Sequence, residues 1–263
     1  MRKGCPSARI EKRLHWKYLH LVKLALDESR LVTCMDERRA SLSTNRETRG
    51  LLPSAQLRVF LLSPANINGV RARMIMRDDA GSELAHRLRA EGAPLGDLFS
   101  FISGLYFRGK LAYARAFSNA PPGVSGSLVI TACGGLMPSD TLVTLEHLRR
   151  ISAIDVDPRD ERYRVPLLHD AQLLSSLVGT DCEIVLLGSI ATPKYAEPLV
   201  EIFGERLVFP IEFTGRGDMS RGGLMLRCVE TGMPLTYVRV LEAARRGRRP
   251  PKLTPLTRVR SGL

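Results

Sequence analysis

The chain has one tryptophan and five cysteines in 263 residues, and no two cysteines form a C-x-x-C pair. Cys5, Cys34, Cys133, Cys182 and Cys228 lie far apart, and neither they nor the five histidines have metal-ligand spacing. No metal site and no cofactor are therefore expected. The odd cysteine count and the lack of a signal-peptide pattern point to a reducing cytoplasm. No apolar run approaches the ~18 residues of a membrane helix, so no membrane partner is expected. There is no G-x-x-x-x-G-K-[ST] and no G-x-G-x-x-G after a strand, which sets aside the common nucleotide-binding signatures.

Net charge is also missing from the middle of the chain. The formal net charge is +12. Residues 1–50 carry 12 Lys/Arg against 6 Asp/Glu, and residues 241–263 carry 7 against 1, so each end contributes +6. Residues 51–240 hold 20 of each sign and sum to zero. The basicity belongs to the ends, which favours non-specific attraction to polyanions there rather than a basic groove in the core.

What is present reads as three parts. Residues 1–54 form a basic appendage: apolar Leu14, Tyr18, Leu21, Leu24 and Leu26 recur at helical spacing, which predicts one amphipathic helix over 10–32, with a polar linker over 38–49. Trp16, His15 and His20 read there as packing or surface residues, and an over-long start of the reading frame is an alternative account of the segment. Residues 55–240 read as the core domain, and 241–263 as a Pro/Arg-rich tail.

In the core, apolar runs at 57–62, 128–132, 183–187 and 207–213 have the continuous hydrophobicity of strands buried on both faces. Helix-compatible segments separate them: 82–90, the second half of 99–115, 144–151, 167–177 and 192–203. The expected class is α/β, a mostly parallel central sheet flanked by helices. Two short runs, 224–227 and 235–238, read as closing strands. Residues 133–140 read as a strand-end loop, and 155–164 as a charged connection.

Polar groups collect where strands end. Ser63 and Asn66 follow the first strand, with Asn66 as a helix cap the alternative. Gly134 and Gly135 follow the second. Ser189, Thr192 and Lys194 stand at a helix amino end that would suit an anion, with Thr192 as a plain helix cap the alternative. Five of the fourteen Phe/Tyr residues fall in 99–115, interleaved with Arg108 and Lys110; Tyr106 could stack on a base while the cations hold phosphate, or the group could be core with snorkelling cations. The densest signal is Gly215-Arg216-Gly217-Asp218-Met219-Ser220-Arg221-Gly222-Gly223. Glycines allow close backbone approach and arginines bring planar forks for phosphate or carboxylate, so the stretch reads as an anion-binding loop. Arg216, Gly217, Ser220 and Arg221 would line it. A tight turn with surface ion pairs is the plainer reading.

These segments resemble the YaaA family of peroxide-stress proteins. The resemblance rests on Leu61-Leu62-Ser63-Pro64-Ala65-Asn66, Gly104-Leu105-Tyr106-Phe107-Arg108-Gly109, Gly135-Leu136-Met137-Pro138 and, most specifically, Arg216, Gly217, Met219, Ser220 and Arg221. It covers roughly 57–230 and implies a fold akin to uracil-DNA glycosylases, with DNA association and a stress-response setting. The family's lysine in its first motif is Asn66 here, and its paired lysines before the arginine are Phe213 and Thr214.

Three functions follow as expectations. One is a nucleic-acid- or nucleotide-associated protein with an anion pocket. A second is an enzyme acting on an N-glycosidic bond, for which Asp218 and Asn66 are the catalytic candidates, with Asp218 as a neutralising partner of Arg216 or Arg221 the alternative. A third is an interaction protein that binds through its basic ends.

Overall fold

The computed structural model describes residues 56–253. The appendage helix, its linker and the last part of the tail lie outside these residues. The described chain is an α/β fold with a six-stranded, mostly parallel sheet and eight α-helices.

Four strands form the parallel centre: β1 (Arg58–Leu62), β3 (Ser127–Thr131), β6 (Glu183–Leu187) and β7 (Leu207–Pro210). β1 pairs in parallel with both β3 and β6, and β6 with β7. Val59 through Leu62, Leu128 through Ile130 and Ile184 through Leu187 are fully buried, as expected for strands covered on both faces. Antiparallel strands close both edges, β4 (Gly135–Pro138) beside β3 and β8 (Tyr237–Arg239) beside β7. A separate ribbon pairs β2 (Ala93–Pro94) with β5 (Leu142–Val143).

The order β4-β3-β1-β6-β7-β8 reverses direction between β1 and β6. From β1 the chain runs outward to β3, then returns across β1 to start β6. A right-handed crossover rule places helices of the two excursions on opposite faces and leaves a crevice at the carboxyl ends of β1 and β6.

The helices are α1 (Val70–Ile75), α2 (Glu83–Ala90), α3 (Leu95–Ser103), α4 (Leu105–Phe117), α5 (Leu145–Ser152), α6 (Glu161–Val178), α7 (Pro193–Phe203) and α8 (Asp218–Thr231). Ser82 and Thr144 cap α2 and α5 through their hydroxyls, and Asp160 caps α6 through its carboxylate. Pro193 opens α7, where its missing N–H leaves no intrahelical bond unmade.

Several expectations are corrected. Residues 224–227 are helical, not a strand, because α8 runs unbroken to Thr231 and stops at Gly232, which takes the left-handed conformation. The glycine-arginine stretch is consequently not a loop beyond Gly217: Asp218 through Gly223 are its first two turns. Residues 133–140 are not a free loop either, since β4 pairs back onto β3 and Asp170 accepts the Leu136 N–H at 3.0 Å. The charged connection at 155–164 ends early, where α6 begins at Glu161. The segment 99–115 is helical in both halves, broken at Gly104, whose φ is +65°.

α4 packs over β1 and β3, and α8 packs on α4 so closely that the two touch backbone to backbone. A Cβ on Gly109 would fall 2.7 Å from the Gly222 carbonyl oxygen, and one on Gly222 would fall 2.7 Å from the Leu105 carbonyl oxygen. Two glycines facing one another bring the helix axes closer than any side chain would allow. Gly222→Ala should therefore lower stability by about 1–3 kcal/mol, the usual cost of overpacking. Urea unfolding should show a lower midpoint at unchanged slope, whereas Gly81→Ala, which faces open space, should leave the midpoint in place.

Candidate functional site

The crevice at the ends of β1 and β6 is built around one buried cation. Lys110 is 1% exposed, on the face of α4 turned toward the sheet. Its Nζ donates to the Ser63 carbonyl oxygen at 2.5 Å and lies 2.9 Å from Ser63 Oγ. Ser63 continues the β1–β6 ladder one residue past the strand, donating its N–H to Leu187 O at 3.1 Å. Next to it, Gly188 leaves the room that Ser63 needs, since a Cβ there would stand 3.0 Å from Ser63 Cβ.

Aromatic rings close the site from the α4 side. Lys110 Nζ sits 4.4 Å from the centroid of the Tyr106 ring and 4.8 Å from that of Phe107. Burial holds the Lys110 ammonium down to about 7; Asp218 opposes that shift and Arg221 adds to it. Tyr106, one turn before Lys110, is 8% exposed, and its hydroxyl makes no hydrogen bond although Arg221 and Ser63 both bear on it. Burial pushes its phenol up. Tyr195, near the start of α7, faces the same cluster; burial, with Tyr106 and Asp218 nearby, pushes its phenol up to about 12.

The third wall is the amino end of α8. Gly217 precedes it with no side-chain cap, and the space around its Cα is open. The first-turn N–H groups therefore keep the partial positive charge of a helix start. Arg221 is 12% exposed at its side chain, held by two hydrogen bonds to Phe213 O (Nε 3.2 Å, Nη2 3.0 Å) and set over the Phe213 ring. Its Nη1 stays 3.9 Å from Asp218, whose carboxylate is 69% exposed at the mouth.

The structure thus brings together Ser63, Tyr106, Lys110, Asp218 and Arg221, with Gly217 at the helix start. Arg216 is spent locally: it donates to Glu212 O at 3.0 Å, to Ser220 Oγ at 3.3 Å and to Pro251 O at 3.4 Å. Ser220 is its partner. Arg108 is exposed on the far side of α4. Asn66 is exposed and closes its own turn by accepting the Asn68 N–H at 3.2 Å, and the position before α1 belongs to Gly69. Ser189 Oγ accepts the Ala191 N–H at 3.3 Å. Lys194 is exposed and acts on Asp157 instead, and Thr192 makes no cap hydrogen bond. Gly134 donates its N–H to Thr131 Oγ1, and Gly135 O accepts from the same hydroxyl.

Sequence reasoning overlooked Tyr195 and Gly188. Pro193 at the start of α7 could have drawn attention to Tyr195, but nothing in the sequence marks Gly188 as the neighbour of Ser63.

A separate cleft of about 380 Å³ lies at the opposite, amino edge of the sheet, lined by Gln56, Asp181, Glu205, Arg206, Tyr237 and Arg239 among others. Its charges are already matched: Arg239 pairs with Glu205 and Glu242, Arg206 donates to Gly179 O and Ser175 Oγ, and the Tyr237 and Tyr113 hydroxyls share a 2.5 Å hydrogen bond. Its arginines and Tyr237 are thus already engaged with protein groups. Comparison of the chain with family models, with curated proteins and with solved structures gives no match.

Lys110 also makes stability depend on pH. In the unfolded chain it titrates near 10.5, and in the folded protein near 7. Between those values the unfolded state holds the extra proton, so stability rises with pH across this window, by up to roughly 1.4 kcal/mol per pH unit. Denaturation from pH 6 to 10 should show this rise in the native chain relative to Lys110→Met, which lacks the titrating group. Parallel curves for the two chains would overturn this account of Lys110.

Proposed function

We propose that the protein binds a phosphate-bearing ligand, a nucleotide or a nucleic acid, at the carboxyl edge of its sheet. The observation that carries this reading is the buried Tyr106 hydroxyl, which Arg221 and Ser63 approach without completing a well-formed hydrogen bond, beside Lys110 and the open start of α8. Buried polar groups are almost always hydrogen-bonded, so a donor left over among cations favours an anion as its partner.

The rim supports a polyanion. The described part of the tail lies against α8: Arg248 O abuts Gly215, Arg216 donates to Pro251 O and Leu253 reaches Gly223. Arg246, Arg248, Arg249 and Lys252 are exposed beside the site, and among the described residues none of them pairs with a carboxylate. These four cations supply charge that the neutral core lacks. The resemblance of Arg216, Gly217, Met219, Ser220 and Arg221 to the YaaA-family motif supports the same reading, and with it a fold akin to uracil-DNA glycosylases and a role in stress protection. No helix among the described residues is long and apolar enough to cross a membrane, and Cys182 and Cys228 are buried thiols, which suits a cytoplasmic setting.

Fluorescence anisotropy of labelled single- and double-stranded DNA and of a labelled nucleotide, with the full chain across a salt series, tests the proposal. Tyr106→Phe should weaken binding about fivefold through one lost hydrogen bond, and Arg221→Ala by more. Replacing the four rim cations with glutamine should reduce the slope of log affinity against log salt by about 3. Unchanged affinity in both site variants, with all binding lost in the rim variant, would transfer the function to the tail.

A further inference from the structure

The geometry points to an acyl-transfer centre in the same crevice: Ser63 is a nucleophile, Lys110 is its general base, and the substrate is a carboxylic ester. A serine hydroxyl needs an adjacent base to become nucleophilic, and serine–lysine pairs are one solution to that need. Here Ser63 Oγ and Lys110 Nζ are 2.9 Å apart, within proton-transfer reach. The base is oriented by a third group, since Nζ also donates to the Ser63 carbonyl oxygen at 2.5 Å. That bond leaves the nitrogen lone pair of the neutral amine available to the Oγ proton.

Three further observations fit this chemistry. Lys110 is held among the Tyr106 and Phe107 rings, and among the described residues no carboxylate forms an ion pair with it, so burial brings its titration down to about 7 and much of it is neutral at physiological pH. Ser63 lies at the carboxyl end of a central strand at the point where the strand order reverses, where open α/β sheets place substrates. The cluster also faces the uncapped start of α8 with Arg221 and the unpartnered Tyr106 hydroxyl, donors for an oxygen that gains negative charge. A structural lysine that only ties α4 to β1 would account for the carbonyl contact, but not for the spare phenol or the open helix start beside the hydroxyl.

The reaction balances without another reagent. The Ser63 Oγ proton passes to Lys110 Nζ as Oγ bonds to the acyl carbon, whose carbonyl oxygen becomes the oxyanion. That intermediate collapses, the bond to the leaving alcohol breaks, and the Lys110 ammonium returns its proton to the departing oxygen. Water then attacks acyl-Ser63; Lys110 takes the water proton and gives it to Ser63 Oγ as the carboxylic acid leaves. Asp218 and Arg221 on α8, Tyr106 on α4 and Tyr195 on α7 are the titratable or charged groups of the cluster around this pair.

Labelling of the full chain with a fluorophosphonate probe, followed by peptide mapping and repeated from pH 5.5 to 9, tests the inference. The expected result is one adduct, on Ser63, formed at least about 100-fold faster than on the urea-unfolded chain. Its rate should rise through pH 7 and level off above pH 8. Ser63→Ala should abolish it, Lys110→Met should slow it at least about 100-fold with an unchanged circular dichroism spectrum, and Ser176→Ala should leave it intact. An adduct on any other serine, a rate no higher than that of the unfolded chain, or native-rate labelling of Lys110→Met would overturn the inference. If Lys110→Met does not fold, the native pH profile decides, because a rate still climbing tenfold per pH unit at pH 9 means that no internal base is at work. Nucleotide binding without Ser63 labelling would leave the phosphate-binding proposal standing and remove this one.

Discussion

Lys110 buried beneath Ser63 is the constraint on which the rest of the site depends. A lysine ammonium carries a large desolvation cost, and here it is offset by one carbonyl oxygen, one hydroxyl and two ring faces rather than by a carboxylate. An incompletely neutralised cation fixes the electrostatics of everything near it. Burial brings its titration down to about 7, and Arg221 and the open start of α8 beside it leave the surroundings suited to negative charge. The sheet tolerates it because it sits at a strand end, where the ladder stops and one carbonyl is free to accept.

The placement of that lysine depends in turn on two residues with no side chain. Gly109 precedes Lys110, and Gly222 follows Arg221. Their mutual contact brings α4 and α8 together at the point where both carry their functional groups, so the same close approach positions Lys110, Tyr106 and Arg221. Packing and function are therefore coupled through backbone contact, and a change at either glycine should be felt at Ser63 without touching any polar group.

Much of the architecture was legible in the chain. Val59–Leu62, Leu128–Ile130 and Ile184–Leu187 announced buried parallel strands because their apolar runs have no polar alternation, and Ser82 and Thr144 marked the helix starts. The failures have physical causes. Met225 and Leu224 read as a strand because the run is short and apolar, but tertiary packing against α4 overrode local pattern and kept them helical. The glycines at 215–223 suggested a loop, whereas only Gly215, at φ +74°, uses that freedom; Gly222 serves close packing inside a helix. Arg216 and Arg221 looked equivalent in the sequence, yet Arg216 turns to Glu212 O, Ser220 and the tail, whereas Arg221, held on Phe213 O, bears on Tyr106 and Lys110.

By itself the sequence determined the class of fold, the neutrality of the core and the spacing that puts Tyr106 and Lys110 one turn apart on the same helix face. It did so because hydrophobic period and helix period are local properties. Tertiary structure alone decided that Lys110 meets Ser63, that α8 opens on the same point and that Asn66, Arg108 and Lys194 turn elsewhere. Those outcomes arise from the strand-order reversal between β1 and β6 and from the glycine contact between α4 and α8, which join residues far apart in the chain.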